Sequence, residues 1–424
     1  MKVYVDSIGC RLNQSEIEKF AAQFRAAGHT VVENPAEADL VLVNTCTVTV
    51  EAASDSRQKI RQANRQGQAK IAVTGCWSTL EADAAAALPG VQWVIPNDHK
   101  KSLVPDILNL PVEEMDLEPL ARQPLPGIHK RTRAFIKTQD GCDNHCTFCI
   151  TRIARGPGRS QSEEEVLADI RSALAGGTKE IVLTGVHLGS WGSDFDPAKH
   201  LKDLVKTILE KTDPARLRLS SLEPWDLNEE FFSLWQDKRM CRHLHLPLQS
   251  GSRATLRRMA RKITPEGFSG LVAMARQASE DMAITTDIIV GFPGETEEEF
   301  TESLEFVRQM EFAAGHVFNY SARPGTPAAR YANQVPPEVR KKRSVAMRAV
   351  LSEASIRFRQ RFVGRQMGVL WEAASAFGPQ GWQIEGLTDN YLRVTVFSPE
   401  NRWNEISQVR LTDLSEDGLR GEFA

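Results

Sequence analysis

Seven cysteines stand in this chain of 424 residues, at positions 10, 46, 76, 142, 146, 149 and 241. Three of them share one short loop, Cys142-Asp-Asn-His-Cys146-Thr-Phe-Cys149, with the spacing C-x3-C-x2-C. A structural zinc site asks for four ligands, often as two C-x2-C knuckles, and His145 would supply a fourth only by straining the loop from inside. Iron–sulfur clusters take thiolates from short loops of this kind. Three ligands leave one iron open, as a catalytic metal requires.

Cys10, Cys46 and Cys76 are far apart in sequence but share a context. Each follows an apolar run: Val-Asp-Ser-Ile-Gly-Cys10, Val-Leu-Val-Asn-Thr-Cys46 and Ile-Ala-Val-Thr-Gly-Cys76. If the runs are strands of one open parallel sheet, their C-terminal ends lie along the edge where such sheets bind ligands. The three thiols then converge. An odd cysteine count in a long chain is a poor disulfide framework and points instead to metal or redox chemistry. Cys241, alone beside Arg242 and His243, is expected to be a buried structural thiol.

The elements that must position these groups follow from hydrophobic periodicity. Residues 2–8, 39–44 and 70–74 are expected strands, alternating with helical patterns over 15–27 and 52–65. Such alternation implies a parallel sheet with helices on its faces. Prolines at 105, 111, 119, 124 and 126 mark residues 105–127 as a linker. Beyond it, expected strands at 134–138, 180–184, 216–220, 243–247, 284–290 and 316–320 alternate with expected helices at 163–175, 229–236, 252–260, 265–277 and 297–310. Six βα units suit an incomplete α/β barrel, with the cysteine loop at its C-terminal mouth. Short strands at 368–371, 391–397 and 409–411 suggest a small C-terminal β-domain. The expected fold class is therefore α/β, in four parts: a sheet domain over 1–104, the linker, a core over 128–357, and a β-domain over 366–424.

The N-terminus lacks the basic and apolar regions of a secretory signal, and no apolar run reaches the roughly 20 residues that span a bilayer. A cytoplasmic protein without membrane attachment is expected. The net charge of −3 carries no global signal for nucleic acid, but residues 340–365 hold nine basic side chains against the single acid Glu353. Arg340, Lys341, Lys342, Arg343, Arg357 and Arg361 are thus candidate phosphate contacts, against the plainer reading of a solvated helix face.

With both cysteine sets placed, the chain resembles the methylthiotransferases, a branch of the radical-SAM superfamily, over essentially its full length. It looks most like the MtaB type, which modifies tRNA. The resemblance rests on Gly9-Cys10-Arg-Leu-Asn13-Gln14-Ser-Glu16, Asn44-Thr45-Cys46, Gly75-Cys76, the cysteine loop, Ser220-Ser221-Leu-Glu223-Pro224, His245-Leu-Pro-Leu-Gln249-Ser250-Gly251-Ser252, Asp287-Ile-Ile-Val-Gly291-Phe-Pro293-Gly294-Glu295 and Tyr320-Ser-Ala-Arg323-Pro-Gly325-Thr326. One departure lies behind Cys149, where the family often runs Ile-Ile-Pro-aromatic and this chain has Ile150-Thr151-Arg152-Ile153.

The resemblance implies a 4Fe-4S cluster on Cys142, Cys146 and Cys149 that binds and cleaves S-adenosyl-L-methionine to a deoxyadenosyl radical. It implies a second 4Fe-4S cluster on Cys10, Cys46 and Cys76 that carries sulfur, and a TRAM-like C-terminal domain. The substrate would be N6-threonylcarbamoyladenosine in the tRNA anticodon loop, methylthiolated at carbon 2. A small reducing protein of flavodoxin or ferredoxin type would supply the electron, and the enzyme would act as a monomer. From their places at strand ends, Phe148, Gly185, Gly189, Glu223 and Gln249 are expected to line the S-adenosylmethionine pocket. The same chemistry on isopentenyladenosine or on a ribosomal-protein aspartate is the alternative, and a non-catalytic iron–sulfur electron carrier is a third reading.

Overall fold

The computed structural model describes residues 1–111 and 132–424. The first body runs β1 Lys2–Ser7, α1 Arg11–Ala26, β2 Thr30–Val31, β3 Leu40–Thr45, α2 Val50–Gln66, β4 Lys70–Gly75, α3 Cys76–Leu80, α4 Ala82–Ala86, β5 Val91–Ile95 and α5 Leu103–Leu108. Its strands pair in parallel in the order β2-β1-β3-β4-β5. Alternate residues of a strand face opposite sides, and β3 shows why both sides are apolar. Leu40 and Leu42 pack with Phe20 and Phe24 of α1 and Leu103 of α5. Val41 and Val43 pack with Ile60 of α2 and Trp77 of α3. A parallel sheet covered on both faces needs such uninterrupted runs.

The second body runs β6 Arg133–Lys137, β7 Gln139–Asp140, α6 Thr151–Arg155, β8 Arg159–Ser160, α7 Glu163–Ala175, β9 Glu180–Thr184, α8 Leu201–Lys211, β10 Arg216–Leu219, α9 Glu229–Phe232, β11 His243–His245, α10 Arg253–Arg258, α11 Pro265–Ala278, β12 Ala283–Val290, α12 Glu297–Met310, β13 Ala314–Asn319 and α13 Pro337–Gln360. Strands β6, β9 and β10 form one parallel ladder and β11, β12 and β13 another. Single bridges from Leu217 to Met240 and from Ser221 to His245 join the two ladders. The result is the expected open arc of six parallel strands. Capping boxes start α7 at Ser162 with Glu165 and α12 at Thr296 with Glu299.

The third body is a closed barrel of β14 Gln366–Gly378, β15 Gly381–Thr388, β16 Arg393–Ser398, β17 Ile406–Leu414 and β18 Leu419–Phe423, in the order β14-β15-β16-β18-β17. Register shifts in β14, between Trp371 and Ala373 and between Ala374 and Ala376, mark bulges. Bulges bend a strand, which lets β14 serve both of its neighbours. The barrel docks against the beginnings of the core strands, the end opposite the cysteine loop. Arg216 donates to the Leu387 and Gly368 carbonyls, each at 2.8 Å, and Arg242 pairs with Asp389 at 2.6 Å. Tyr391 stacks on His243 with 4.5 Å between ring centres, and its hydroxyl accepts from Arg11 of α1 at 2.7 Å. One side chain of the barrel therefore touches both other bodies.

Three expectations need correction. The C-terminal body has two strands the sequence did not reveal, Gly381–Thr388 and Leu419–Phe423. The helix expected over 229–236 is α-helical only to Phe232 and continues as a 3-10 turn, Ser233–Gln236. The stretch expected as linker from residue 105 begins inside α5, which buries Leu103, Val104 and Pro105; from 112 to 127 it lies outside the described residues.

The arc interior holds a buried charge pair. Arg218 reaches Glu180 through two bonds of 2.6 and 3.1 Å, and both side chains are fully buried. Burial alone would raise the Glu180 carboxyl, but Arg218 outweighs it and holds the group at about 2. This lies below the unfolded value of about 4.3. The pair thus adds stability above that pH and loses it as pH falls toward 2. Glu180→Gln, which leaves Arg218 buried without its anion, should cost about 3–5 kcal/mol at pH 7, read as a lower urea midpoint. The gap should narrow below about pH 4; equal midpoints at pH 7 would contradict this account.

Candidate active site

The N-terminal thiols meet at one sheet edge. Cys10 caps α1, Cys46 directly follows β3, and Cys76 opens α3 directly after β4. Cys46 and Cys76 are buried while Cys10 is exposed, so the group opens to solvent at one corner. Burial pushes the Cys46 thiol up to about 11, and Cys10 and Cys76 push it the same way, as neighbouring thiolates do. Two glycines allow the approach. A Cβ on Gly9 would fall 2.5 Å from the Cys46 sulfur. Gly75 adopts φ 100°, ψ −174°, a conformation open essentially to glycine alone, and a Cβ there would fall 2.3 Å from the Thr45 carbonyl.

The second set lies at the C-terminal end of the arc, half-buried. Its loop is fastened from several sides: Cys142 N–H donates to the Gly156 carbonyl at 3.1 Å, Thr147 N–H to Met259 at 3.1 Å, and Ala328 N–H to Thr147 at 2.9 Å. Two cations attend the sulfurs. Arg261 lies 3.7 Å from the Cys146 sulfur and is held by Glu223 through bonds of 3.1 and 2.6 Å. His187 bonds Asp226 at 2.6 Å. Burial opposes its charge, but Asp226 and the Cys142 sulfur push its pKa up to about 10.

The two sets are linked by α6, which starts two residues after Cys149. The Ala154 carbonyl accepts from Asn97 at 2.7 Å, and the same Asn97 amide lies 3.8 Å from the Cys76 sulfur. Arg155 donates to Asn13 at 2.7 Å, and the Asn13 oxygen lies 3.8 Å from the Cys10 sulfur. Arg323, from the loop behind β13, bonds the Thr47 hydroxyl beside Cys46. Asn97, Arg155, His187 and Arg261 were not singled out from the sequence, and Asn13 entered only as part of the Gly9–Glu16 motif. For Arg155 and Asn97 no local signal exists, because the partners that tie them across the two bodies, Glu16 and Asn13 for Arg155 and the Ala154 carbonyl for Asn97, are more than fifty residues away.

The other expected residues divide. Glu223 sits at the mouth but holds Arg261. Gln249, at the mouth as well, adopts φ 74° within a bridge to Ile288. Phe148 packs its ring edge against Phe292, beside Met259 and Tyr320. Gly185 and Gly189 have reasons within the chain for being small: a Cβ would lie 3.1 Å from Gln139 in one case and 2.3 Å from Asp226 in the other. Arg152, where relatives often carry proline, is exposed on α6.

The basic stretch is not one surface. Arg343 is buried against Glu295 and Glu297, and Arg340 packs over Gly291 and bonds the Tyr320 carbonyl. Both therefore serve the fold and leave the expected phosphate-contacting set. Lys341 and Lys342 are exposed near the strand ends, whereas Arg357, beside Glu311, lies further along α13 and Arg361, beside Asp281, just past its end. At 1.5 Å per residue, Lys341 and Arg357 are about 24 Å apart.

Gly75→Ala should displace Cys76. If, as the resemblance implies, the N-terminal set carries one of two 4Fe-4S clusters, the variant should hold about half the iron of the parent chain after anaerobic reconstitution. Full iron content would show that the Gly75 conformation does not control that set.

Comparison with known proteins places these features. Residues 136–307 match the radical SAM superfamily, and residues 2–95 match the family described as uncharacterized protein family UPF0004. The chain is 37% identical to the threonylcarbamoyladenosine tRNA methylthiotransferase MtaB of Thermotoga maritima, over 98% of this chain and 96% of that one. It is 35% identical to the MtaB of Bacillus subtilis, over 98% and 95%. It is 33% identical to the tRNA-2-methylthio-N(6)-dimethylallyladenosine synthase of Anoxybacillus flavithermus, over 100% and 82%. In fold it is similar to the radical S-adenosylmethionine methyltransferase TsrM of Kitasatospora setae, with a TM-score of 0.60 at 14% identity over 83% of this chain and 89% of that one. With full-length similarity at this level, the chain belongs to the methylthiotransferase family of radical-SAM enzymes.

Proposed function

We propose that this protein methylthiolates carbon 2 of N6-threonylcarbamoyladenosine beside the tRNA anticodon, holding one 4Fe-4S cluster on Cys142, Cys146 and Cys149 and a second on Cys10, Cys46 and Cys76. The observation that carries the reading is two three-cysteine sets bound to each other through α6, Asn97 and Asn13. The donor sets suit clusters. Each set offers three free thiols, the ligand type that iron–sulfur clusters take.

When bound, the clusters and S-adenosylmethionine supply radical and sulfur-transfer chemistry that side chains alone lack. This chain's own groups do the rest. Arg261 and protonated His187 place positive charge beside the Cys146 and Cys142 sulfurs, where ligating thiolates would carry negative charge. The Glu223–Arg261 pair and Gln249 border the mouth, while Phe148, Phe292 and Tyr320 make an apolar wall that keeps water from a reacting centre. Lys341 and Lys342, exposed in the first turns of α13, would contact phosphates beside a splayed anticodon loop. No helix among the described residues is long and apolar enough to cross a membrane. The enzyme would act in the cytoplasm as a monomer, reduced by a flavodoxin- or ferredoxin-type protein.

In tRNA from a strain lacking this gene, nucleoside mass spectrometry should show loss of the methylthio mark on threonylcarbamoyladenosine. Loss from isopentenyladenosine would favour the reading offered by the dimethylallyladenosine synthase, and an unchanged profile would reject tRNA as the substrate. In purified protein the two cysteine sets should separate. Cys142→Ala should abolish 5′-deoxyadenosine formation, whereas Cys46→Ala should still form it but give no methylthio product.

A further inference from the structure

Five ionisable side chains from separate elements close on one another between the two cysteine sets. Arg155 of α6 donates to Glu16 of α1 at 3.1 Å and to Asp140 of β7 at 2.9 Å. Lys137 of β6 reaches Glu16 at 3.0 Å and Asp140 at 2.8 Å. Lys100 reaches the other Glu16 oxygen at 2.5 Å. The Arg155, Glu16 and Lys100 side chains are 2%, 4% and 6% exposed, so water screens this group little.

Three cations here face two anions. A buried network with a surplus charge is unfavourable unless a neighbour carries the balancing charge. The neighbours placed to do so are the Cys10 and Cys76 sulfurs, once bound as thiolates: Arg155 holds the Asn13 oxygen that lies 3.8 Å from the Cys10 sulfur, and α6 holds the Asn97 amide that lies 3.8 Å from the Cys76 sulfur. The other cysteine set differs. Its arginine, Arg261, is matched one to one by Glu223. His187 is likewise matched by Asp226, so one set sits beside two matched pairs and the other beside an uncompensated cation.

We propose that Arg155, through the surplus positive charge of this buried network, raises the reduction potential of the cluster on Cys10, Cys46 and Cys76 and keeps it distinct from that of the cluster on the core loop. The inference rests on reading those three cysteines as ligands. Reduction adds one electron to a cluster, so a fixed cation nearby favours the reduced form, and more strongly in a low-dielectric site than in water. Arg155 is thus a positioning residue. It contacts the Cys10 site through Asn13 and carries charge where iron and sulfur would sit.

The test is an anaerobic redox titration followed by electron paramagnetic resonance. It uses the full-length chain carrying Cys142→Ala, Cys146→Ala and Cys149→Ala, so that one cluster remains. Arg155→Met should move the midpoint to more negative potential, and Arg155→Lys should leave it near the parent. Glu16→Gln and Asp140→Asn, which remove anions, should each move it to more positive potential. Opposite signs are the signature, since general loosening of the interface would move all three the same way. If Arg155→Met does not retain iron, the two anion variants decide. Unchanged midpoints, a negative shift in either anion variant, or shifts of one sign across all three variants overturn the proposal, while methylthio product from the otherwise native enzyme leaves the functional reading intact. Absence of any cluster in the parent of this series would overturn both.

Discussion

The contact between Arg155 and Glu16 is the constraint on which the rest depends. A guanidinium and a carboxylate removed from water lose several kcal/mol of hydration each, and only a complete set of partners offsets that loss. Here the set includes Asn13, Asn44, Lys100, Lys137 and Asp140, drawn from both the N-terminal sheet and the core. Sliding one body over the other would break these contacts and strip buried charges of their partners. A direct consequence is the placement of α1 along β6, where the Lys137 N–H donates to the Ser15 hydroxyl at 3.1 Å.

That lock gives the short helix α6 its meaning. It begins just behind one cysteine loop and ends, five residues on, against the asparagines that flank the other cysteine set. Two sites built on different sheets are thereby held at a spacing set by a single turn of backbone. The C-terminal barrel stands at the other end of the core strands. Tyr391 lies on His243 there, ringed by Arg11, Arg133 and Arg218, whose charges override the raising effect of burial and lower its pKa. Since Arg11 follows Cys10 directly, the barrel and the N-terminal cysteine set share one short stretch of chain.

Much of this was legible in the sequence because strong apolar runs leave little choice. The strands at 180–184 and 216–219 and the helices at 163–175 and 297–310 are set by periodicity and by caps such as Ser162 with Glu165. Of the elements not named from the sequence, several are short or partly exposed, whereas α8, Leu201–Lys211, carries apolar residues at helical spacing. Thr30–Val31 has two residues, and Val91–Ile95 buries only Ile95 fully. The strand Gly381–Thr388 opens and continues with glycine, whose use is to let Ser398 and Leu370 approach closely, a reason visible only when those neighbours are in place. The basic run misled for a related cause. On a helix of 24 residues, charges close in sequence point in all directions, and Arg343 points inward.

The sequence by itself determined the chemistry: which side chains can hold iron, that they come in threes, and that both threes follow parallel strands whose ends bind ligands. These are matters of residue type and local spacing. Tertiary structure alone decided how the threes are arranged with respect to each other and which cations stand beside them. Arg155 and Glu16 are 139 positions apart, and nothing near either residue names its partner. An ion pair of that kind is selected by the exclusion of water around it, and water is excluded only once the sheets and helices have packed.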